Sequence, residues 1–198
     1  MSKMIDYYFS PMSPWSYLGH DRLATVAASH GARISVKPVD FGKIFPASGG
    51  LPLPKRAPQR QKYRLVELAR WKKFLGVPLT IEPKYFPYDA TSASLLVVAV
   101  ATQLGDEAAM NIASAIFKGC WVEERNMAEP AELSKILQAQ GLDAGLSATA
   151  GTQDTLARYQ ALTDEAMQRD VFGAPTYVYN NELFWGQDRL DFLDRALK

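Results

Sequence analysis

Three short stretches near the chain ends carry residue types that can do chemistry. The first is Ser13-Pro14-Trp15-Ser16, two hydroxyls three positions apart around a proline and a tryptophan. A serine hydroxyl at a helix start can cap the backbone, and it can also donate one hydrogen bond to an anion. The second stretch is Val171-Phe172-Gly173-Ala174-Pro175-Thr176. A proline that opens a strand contributes no ladder N–H. If its peptide bond is cis, the backbone of the preceding residue stays free to pair with an extended ligand. The third stretch is Phe184-Trp185-Gly186-Gln187-Asp188-Arg189-Leu190. Free amides at a helix start suit a carboxylate, and the Asp188 side chain suits an ammonium group. Each stretch also has a plain structural reading: a helix cap, a trans proline on an edge strand, and a surface Asp–Arg pair.

The rest of the composition removes alternatives. The single cysteine, Cys120, excludes an internal disulfide, a CxxC redox pair and a Cys-rich zinc site. It lies among Ile116, Phe117 and Trp121 and reads as a small core residue. His20 and His30 are too few and too isolated for metal ligation or a triad, and no metal is expected. There is no Gly-rich phosphate loop. Lys plus Arg is 22 against 21 for Asp plus Glu, a net charge of +1, so neither nucleic acid nor anionic lipid is an expected partner. The longest apolar run, Leu95 to Ala101, falls far short of the roughly 20 residues that span a bilayer. Met1 to Ser10 lacks a secretory pattern, so a cytoplasmic location is expected.

The elements that must position these residues follow from pattern. Ile5 to Phe9 reads as a strand, Ser13 to about Ser29 as a helix stopped by Gly31, and Arg33 to Val39 as a second strand. Together they form a βαβ unit. Phe45 to Pro58, with four prolines and two glycines, reads as a loop. Helices are expected over Arg60–Leu75, Thr91–Leu104, Glu107–Val122, Pro130–Ala139 and Thr152–Arg169. Thr176–Tyr179 and Glu182–Trp185 read as strands around an Asn180-Asn181 turn, and a helix closes the chain over about Asp188–Leu197. The order βαβ, helices, ββα is an α/β thioredoxin-like fold with a large all-helical insertion. The expected division is 1–55 with 171–198 for the thioredoxin-like part and 56–170 for the insertion. In that fold Ser13 and Ser16 stand where a CxxC would. A thiolate held there must come from a ligand.

Taken together, the three stretches closely resemble the 2-hydroxychromene-2-carboxylate isomerases and their relatives, the kappa-class glutathione transferases. The resemblance rests on Asp6-Tyr7-Tyr8-Phe9, Ser13-Pro14-Trp15-Ser16-Tyr17-Leu18, the stretch around Ala174-Pro175, and Trp185-Gly186-Gln187-Asp188-Arg189-Leu190. Tyr63, Arg70-Trp71, Gly76-Val77-Pro78 and Tyr85-Phe86-Pro87 extend it through the middle. It implies glutathione as cofactor, with Ser13 at its sulfur. Ala174 and the cis-proline Pro175 would meet its cysteinyl part, and Gln187 and Asp188 its γ-glutamyl end. It also implies a homodimer and a small aromatic carboxylate as substrate. The chain departs from the pattern at Ser48-Gly49-Gly50, where kappa transferases carry an Asn, at Ala174, and at Glu124-Arg125-Asn126.

The resemblance implies an isomerase of aromatic catabolism, with Ser13 as catalytic residue. Trp15, Tyr88 and Trp185 are candidates for an apolar substrate wall. Lys55, Arg56, Arg60, Lys62 and Arg64 are candidates for a carboxylate anchor. A kappa-type transferase or peroxidase and a non-catalytic binding module are the competing readings.

Overall fold

The computed structural model describes residues 3–198. Strand β1 (Met4–Phe9) leads through α1 (Pro14–Ser29) to β2 (Arg33–Pro38). The two strands pair in parallel, from Met4 opposite Arg33 to Phe9 opposite Pro38. β1 is almost wholly apolar because it is central and covered on both faces; Ile5, Tyr7, Tyr8 and Phe9 are fully buried. The chain returns at its end as β3 (Thr176–Tyr179), antiparallel to β1, and β4 (Glu182–Trp185), antiparallel to β3. Asn180 and Asn181 both take positive φ, 51° and 64°, the geometry of a two-residue hairpin turn that suits asparagine. The sheet order among the described residues is β2-β1-β3-β4.

Between β2 and β3 lie α2 (Phe41–Ser48), α3 (Pro58–Leu75), α4 (Thr91–Leu104), α5 (Asp106–Trp121), α6 (Pro130–Ala139), α7 (Gly145–Ala150) and α8 (Gln153–Gln168); α9 (Leu190–Ala196) closes the chain. Two of these correct the sequence reading. The stretch from Phe45, expected as a loop, begins inside α2 and later holds a 3-10 turn at Leu53–Lys55. Asp40 caps α2 by accepting from the Gly42 N–H at 2.8 Å, and Phe41 and Ile44 anchor it in the core, which outweighs the internal Pro46. The short α7 was not expected at all. It buries only Leu146 and Ala150, too few apolar residues to leave a periodic signal. The closing helix begins as a 3-10 turn over Gln187–Arg189 before α9.

Sheet and inserted helices share one core. Ile5, Tyr7 and Phe9 of β1 pack in one cluster with Leu96 and Val97 of α4 and Ile112, Phe117 and Trp121 of α5. α4 is apolar around most of its surface because it is surrounded by β2, α5, α7 and α8. A second cluster, with Tyr8, Val39, Phe41 and Ile44, holds α2 and α8 against the sheet. At its edge Lys37 bridges Asp6 at 2.8 Å and Glu165 at 2.7 Å, tying β1, β2 and α8 together.

Candidate functional site

Strand register gathers the three chemical stretches at one end of the sheet. β1 ends at Phe9, and Thr176, the first residue of β3, pairs with Tyr8. The last residue of β4, Trp185, pairs with Thr176. The loop into α1, the loop into β3 and the loop out of β4 therefore meet. Ser13 is the N-cap of the 16-residue α1, in extended conformation, and its Oγ accepts from the Ser16 N–H at 3.1 Å. Its hydroxyl proton has no acceptor among the described residues, so it can donate to a ligand at the positive end of the helix dipole. Ser16 is fully buried beside Tyr7 and cannot reach a ligand in the open.

The Ala174–Pro175 bond is cis. The Ala174 amide and carbonyl make no hydrogen bond among the described residues, whereas both neighbours are tied: Thr176 Oγ1 donates to the Gly173 carbonyl at 2.7 Å and the Gly186 N–H to the Pro175 carbonyl at 2.8 Å. Two glycines allow this packing. A Cβ on Gly173 would sit 2.2 Å from Trp185 Nε1, and Gly186, at φ 103°, would put a Cβ 2.4 Å from Asp188 Oδ1. Trp185 is half exposed and stacks edge-on against Phe172 at 4.7 Å.

Gln187 and Asp188 behave differently. Gln187 is buried, and its Oε1 accepts from Arg22 Nη1 at 2.6 Å, with the Gln187 carbonyl accepting from the same nitrogen at 3.2 Å. That bond orients the turn and leaves the Nε2 amide, with two donors, as the part of Gln187 open to a ligand. Asp188 is exposed and pairs with its neighbour Arg189 at 2.6 Å.

An open cleft of about 610 Å³ lies at this end and brings together Trp15, Ala174, Trp185, Gln187 and Asp188. Ser13, two residues before Trp15, and Pro175, directly after Ala174, do not line it. The facing wall is α3 with the loop before it: Arg56, Arg60, Arg64 and Trp71. Lys55 and Lys62 do not line the cleft. Tyr88, expected on the apolar wall, is a correction: it is buried in the main core, where burial holds its phenol far above the usual range. Trp71, noted in the sequence only as part of the family pattern, lines the cleft instead.

His20, Cys120 and Arg125, away from the cleft, are structural. His20 lies inside α1 and is almost completely buried; its Nε2–H donates to the Met110 carbonyl at 3.0 Å, which leaves Nδ1 to accept from the Tyr7 hydroxyl at 3.3 Å. Burial pushes its pKa down to about 4. Burial pushes the Cys120 thiol up to about 12, as for an inert core residue. Arg125 fixes the Glu124 turn (φ 53°) by bridging Glu132 at 2.5 Å and Glu123 at 3.0 Å. Among the described residues no group of His, Cys, Asp and Glu could hold a metal ion, and no helix is long and apolar enough to cross a membrane.

A sheet of this order, with a cis-proline beside the N-terminus of the first helix and helices inserted before the last hairpin, defines a thioredoxin fold of the helically elaborated type. Residues 4–198 match the DsbA-like thioredoxin domain model. The chain is 31% identical to a 2-hydroxychromene-2-carboxylate isomerase of Sphingobium xenophagum over 100% of its length and 99% of the relative's. It is 25% identical to glutathione S-transferase kappa 2 of Caenorhabditis elegans, covering 99% and 94%. A solved structure of 2-hydroxychromene-2-carboxylate isomerase superposes with a TM-score of 0.82 at 27% identity, covering 98% of this chain and 94% of that one. The chain belongs to the DsbA-like thioredoxin-domain family and, within it, to the family of the 2-hydroxychromene-2-carboxylate isomerases, to which the kappa transferases are related.

Proposed function

We propose that the protein is a glutathione-dependent isomerase of the 2-hydroxychromene-2-carboxylate type. One observation carries this reading: the free Ser13 hydroxyl and the unpaired Ala174 backbone meet at one sheet end beside an open cleft. Their chemistry fits glutathione, which offers a sulfur, an extended peptide backbone and charged ends. When bound, glutathione supplies a thiolate that adds reversibly to an electron-poor carbon of the substrate and is not consumed.

The chain's own residues supply the rest. Ser13 donates one hydrogen bond to the sulfur, and the α1 N-terminus adds its partial positive charge. A hydrogen bond to a charged group contributes about 1.5–3 kcal/mol. That lowers a thiol pKa of about 8.5 by roughly one or two units, which raises the thiolate near pH 7 from about 3% to between about a quarter and three quarters. Ala174 pairs with the cysteinyl backbone as an added strand would. Asp188 receives the γ-glutamyl ammonium once it turns from Arg189. Trp15 and Trp185 exclude water from one face of the substrate.

The test is to follow the absorbance of a hydroxychromene carboxylate with purified protein and substoichiometric glutathione. Many turnovers per glutathione are expected. Absence of any glutathione-dependent change would overturn the reading, and stoichiometric consumption of glutathione into a conjugate would replace it with a kappa-type transferase.

A further inference from the structure

The net charge of +1 averages two unequal parts of the chain. Eight of the 22 basic residues but only one of the 21 acidic ones, Glu67, fall between Lys55 and Leu75, which leaves that stretch at +7 and the rest of the chain at −6. Most of the stretch is α3, 18 residues and so about 27 Å long. Only one face of α3 is used by the fold: Leu68 is fully buried, and Trp71 and Leu75 pack on the main core. The opposite face carries two adjacent rows at helical spacing, Lys62, Val66 and Lys73 beside Tyr63, Arg70 and Phe74. All six are exposed, and the apolar ones stand well out of the surface, Phe74 at 77%, Tyr63 at 58% and Val66 at 45%. Lys62, Lys72 and Lys73 have no ion pair among the described residues, and Arg70 engages Glu67, the one carboxylate of the helix, at 2.6 Å. Solvation alone accounts for the lysines, but not for large apolar side chains set in a row between them.

We propose that this outer face of α3 is a docking surface for an anionic lipid bilayer. The helix lies along the bilayer plane, with Val66 and Phe74 entering the headgroup layer and the lysine heads reaching lipid phosphates past their own apolar stems. Each basic residue at such a surface strengthens binding about fivefold. Two other occupants fit less well. A two-fold contact with a second copy sets lysine against lysine across the axis. A nucleic acid uses the basic heads but leaves Val66 and Phe74 uncovered. Phe74 stands edge-on to Trp71 at 5.5 Å, and Trp71 lines the cleft, so a bilayer seated on this face adjoins the cleft. Such docking does not depend on the reaction assigned to the cleft.

The purified protein is sedimented with vesicles of phosphatidylcholine alone and of phosphatidylcholine mixed with phosphatidylglycerol, at low and at high salt. Binding is expected with the anionic vesicles only, and is expected to weaken as salt screens their surface. K62Q/K73Q removes two charges at exposed positions and is expected to weaken binding about twenty- to thirtyfold. F74S is expected to weaken it about three- to tenfold and to leave its salt dependence in place. Soluble poly-glutamate is the contrasting probe. Binding to it as tight as to the vesicles, and indifferent to F74S, would overturn the bilayer and assign the face to an acidic protein. No binding to anionic vesicles, equal binding to neutral ones, or binding that K62Q/K73Q leaves unchanged would each overturn the docking surface. Glutathione and substrate are absent throughout, so failure of the isomerase assay would remove the reaction and leave the docking surface standing.

Discussion

The two walls of the cleft are built by different means. The sheet-end wall is made of backbone: a cis-proline, a helix N-terminus, and glycines that let Trp185 and Asp188 close in. The α3 wall is made of long side chains on one helix face. Backbone features are fixed by the fold, whereas side chains on a helix can change without disturbing it. Under the proposed function, the difference lets one fold keep a thiol site and vary what it acts on. It also locates a shared foundation: α1, whose N-terminus belongs to the sheet-end wall, packs against α3 on one side and α5 on another.

That docking gives the largest expected effect. His20 on α1 joins Tyr7 of β1 to the Met110 carbonyl of α5, with Phe117 packed edge-on at 5.2 Å. Asp21 favours the imidazolium and Lys118 opposes it, both weakly beside burial. The unfolded chain takes up a proton near pH 6.5, the folded one only near 4. Stability is therefore complete above pH 6.5 and falls as pH drops toward 4, by about 3 kcal/mol at 1.36 kcal/mol per unit. Urea unfolding of wild type and His20→Gln across this window should show a clearly shallower slope in the variant. Equal slopes would mean that His20 does not tie the docking of α1 on α5 to pH.

Ser13 comes next, and it separates chemistry from capping. Ser13→Ala loses both the cap and the donor; Ser13→Gly keeps most of the cap, since glycine there costs only a few tenths of a kcal/mol. Both variants should lose about ten- to a hundredfold in glutathione-dependent kcat/KM, equivalent to ~1.5–3 kcal/mol. Only Ser13→Ala should also lose about 1 kcal/mol of stability by thermal melting. If Ser13→Gly retains full activity, the hydroxyl is a cap and nothing more. Gly186→Ala attacks the same wall through the backbone. With φ at 103° and Asp188 Oδ1 crowding the new Cβ, it should cost about 1–3 kcal/mol and weaken glutathione binding.

The sheet-end wall was the legible one. Ser-Pro, Ala-Pro and Gly-Gln-Asp are local signatures, and the strands around them alternate or cap in standard ways, so residue order alone brought them to one end. The α3 wall was harder to read. Arg60, Arg64, Glu67 and Trp71 follow i, i+4, i+7, i+11 spacing, one face of a helix, and that spacing was a usable signal. Its arginines were anchor candidates by residue type alone; that the face looks across a cleft depends on how α3 packs beside α1. Tyr88 failed for the same reason. Its aromatic type suits a pocket or a core equally well, and only tertiary packing puts it in the core. That Gln187 lies in the turn after β4 was legible, but its bond to Arg22, 165 positions away, was not.

The smallest effect bears on Asp188, where the sheet-end wall departs from its backbone logic and uses a side chain. Its carboxylate is exposed and already paired with Arg189. An exposed ion pair contributes about 0.2–1 kcal/mol, so a ligand ammonium must displace a partner of similar strength and gains little. Asp188→Asn should therefore weaken glutathione only about two- to fivefold by calorimetry. Arg189→Ala frees the carboxylate and should tighten glutathione by a similar factor. The opposite signs are the discriminating result. A role for Asp188 confined to the surface pair would leave both affinities unchanged, and the γ-glutamyl end would then be held by the backbone alone, as the rest of that wall is.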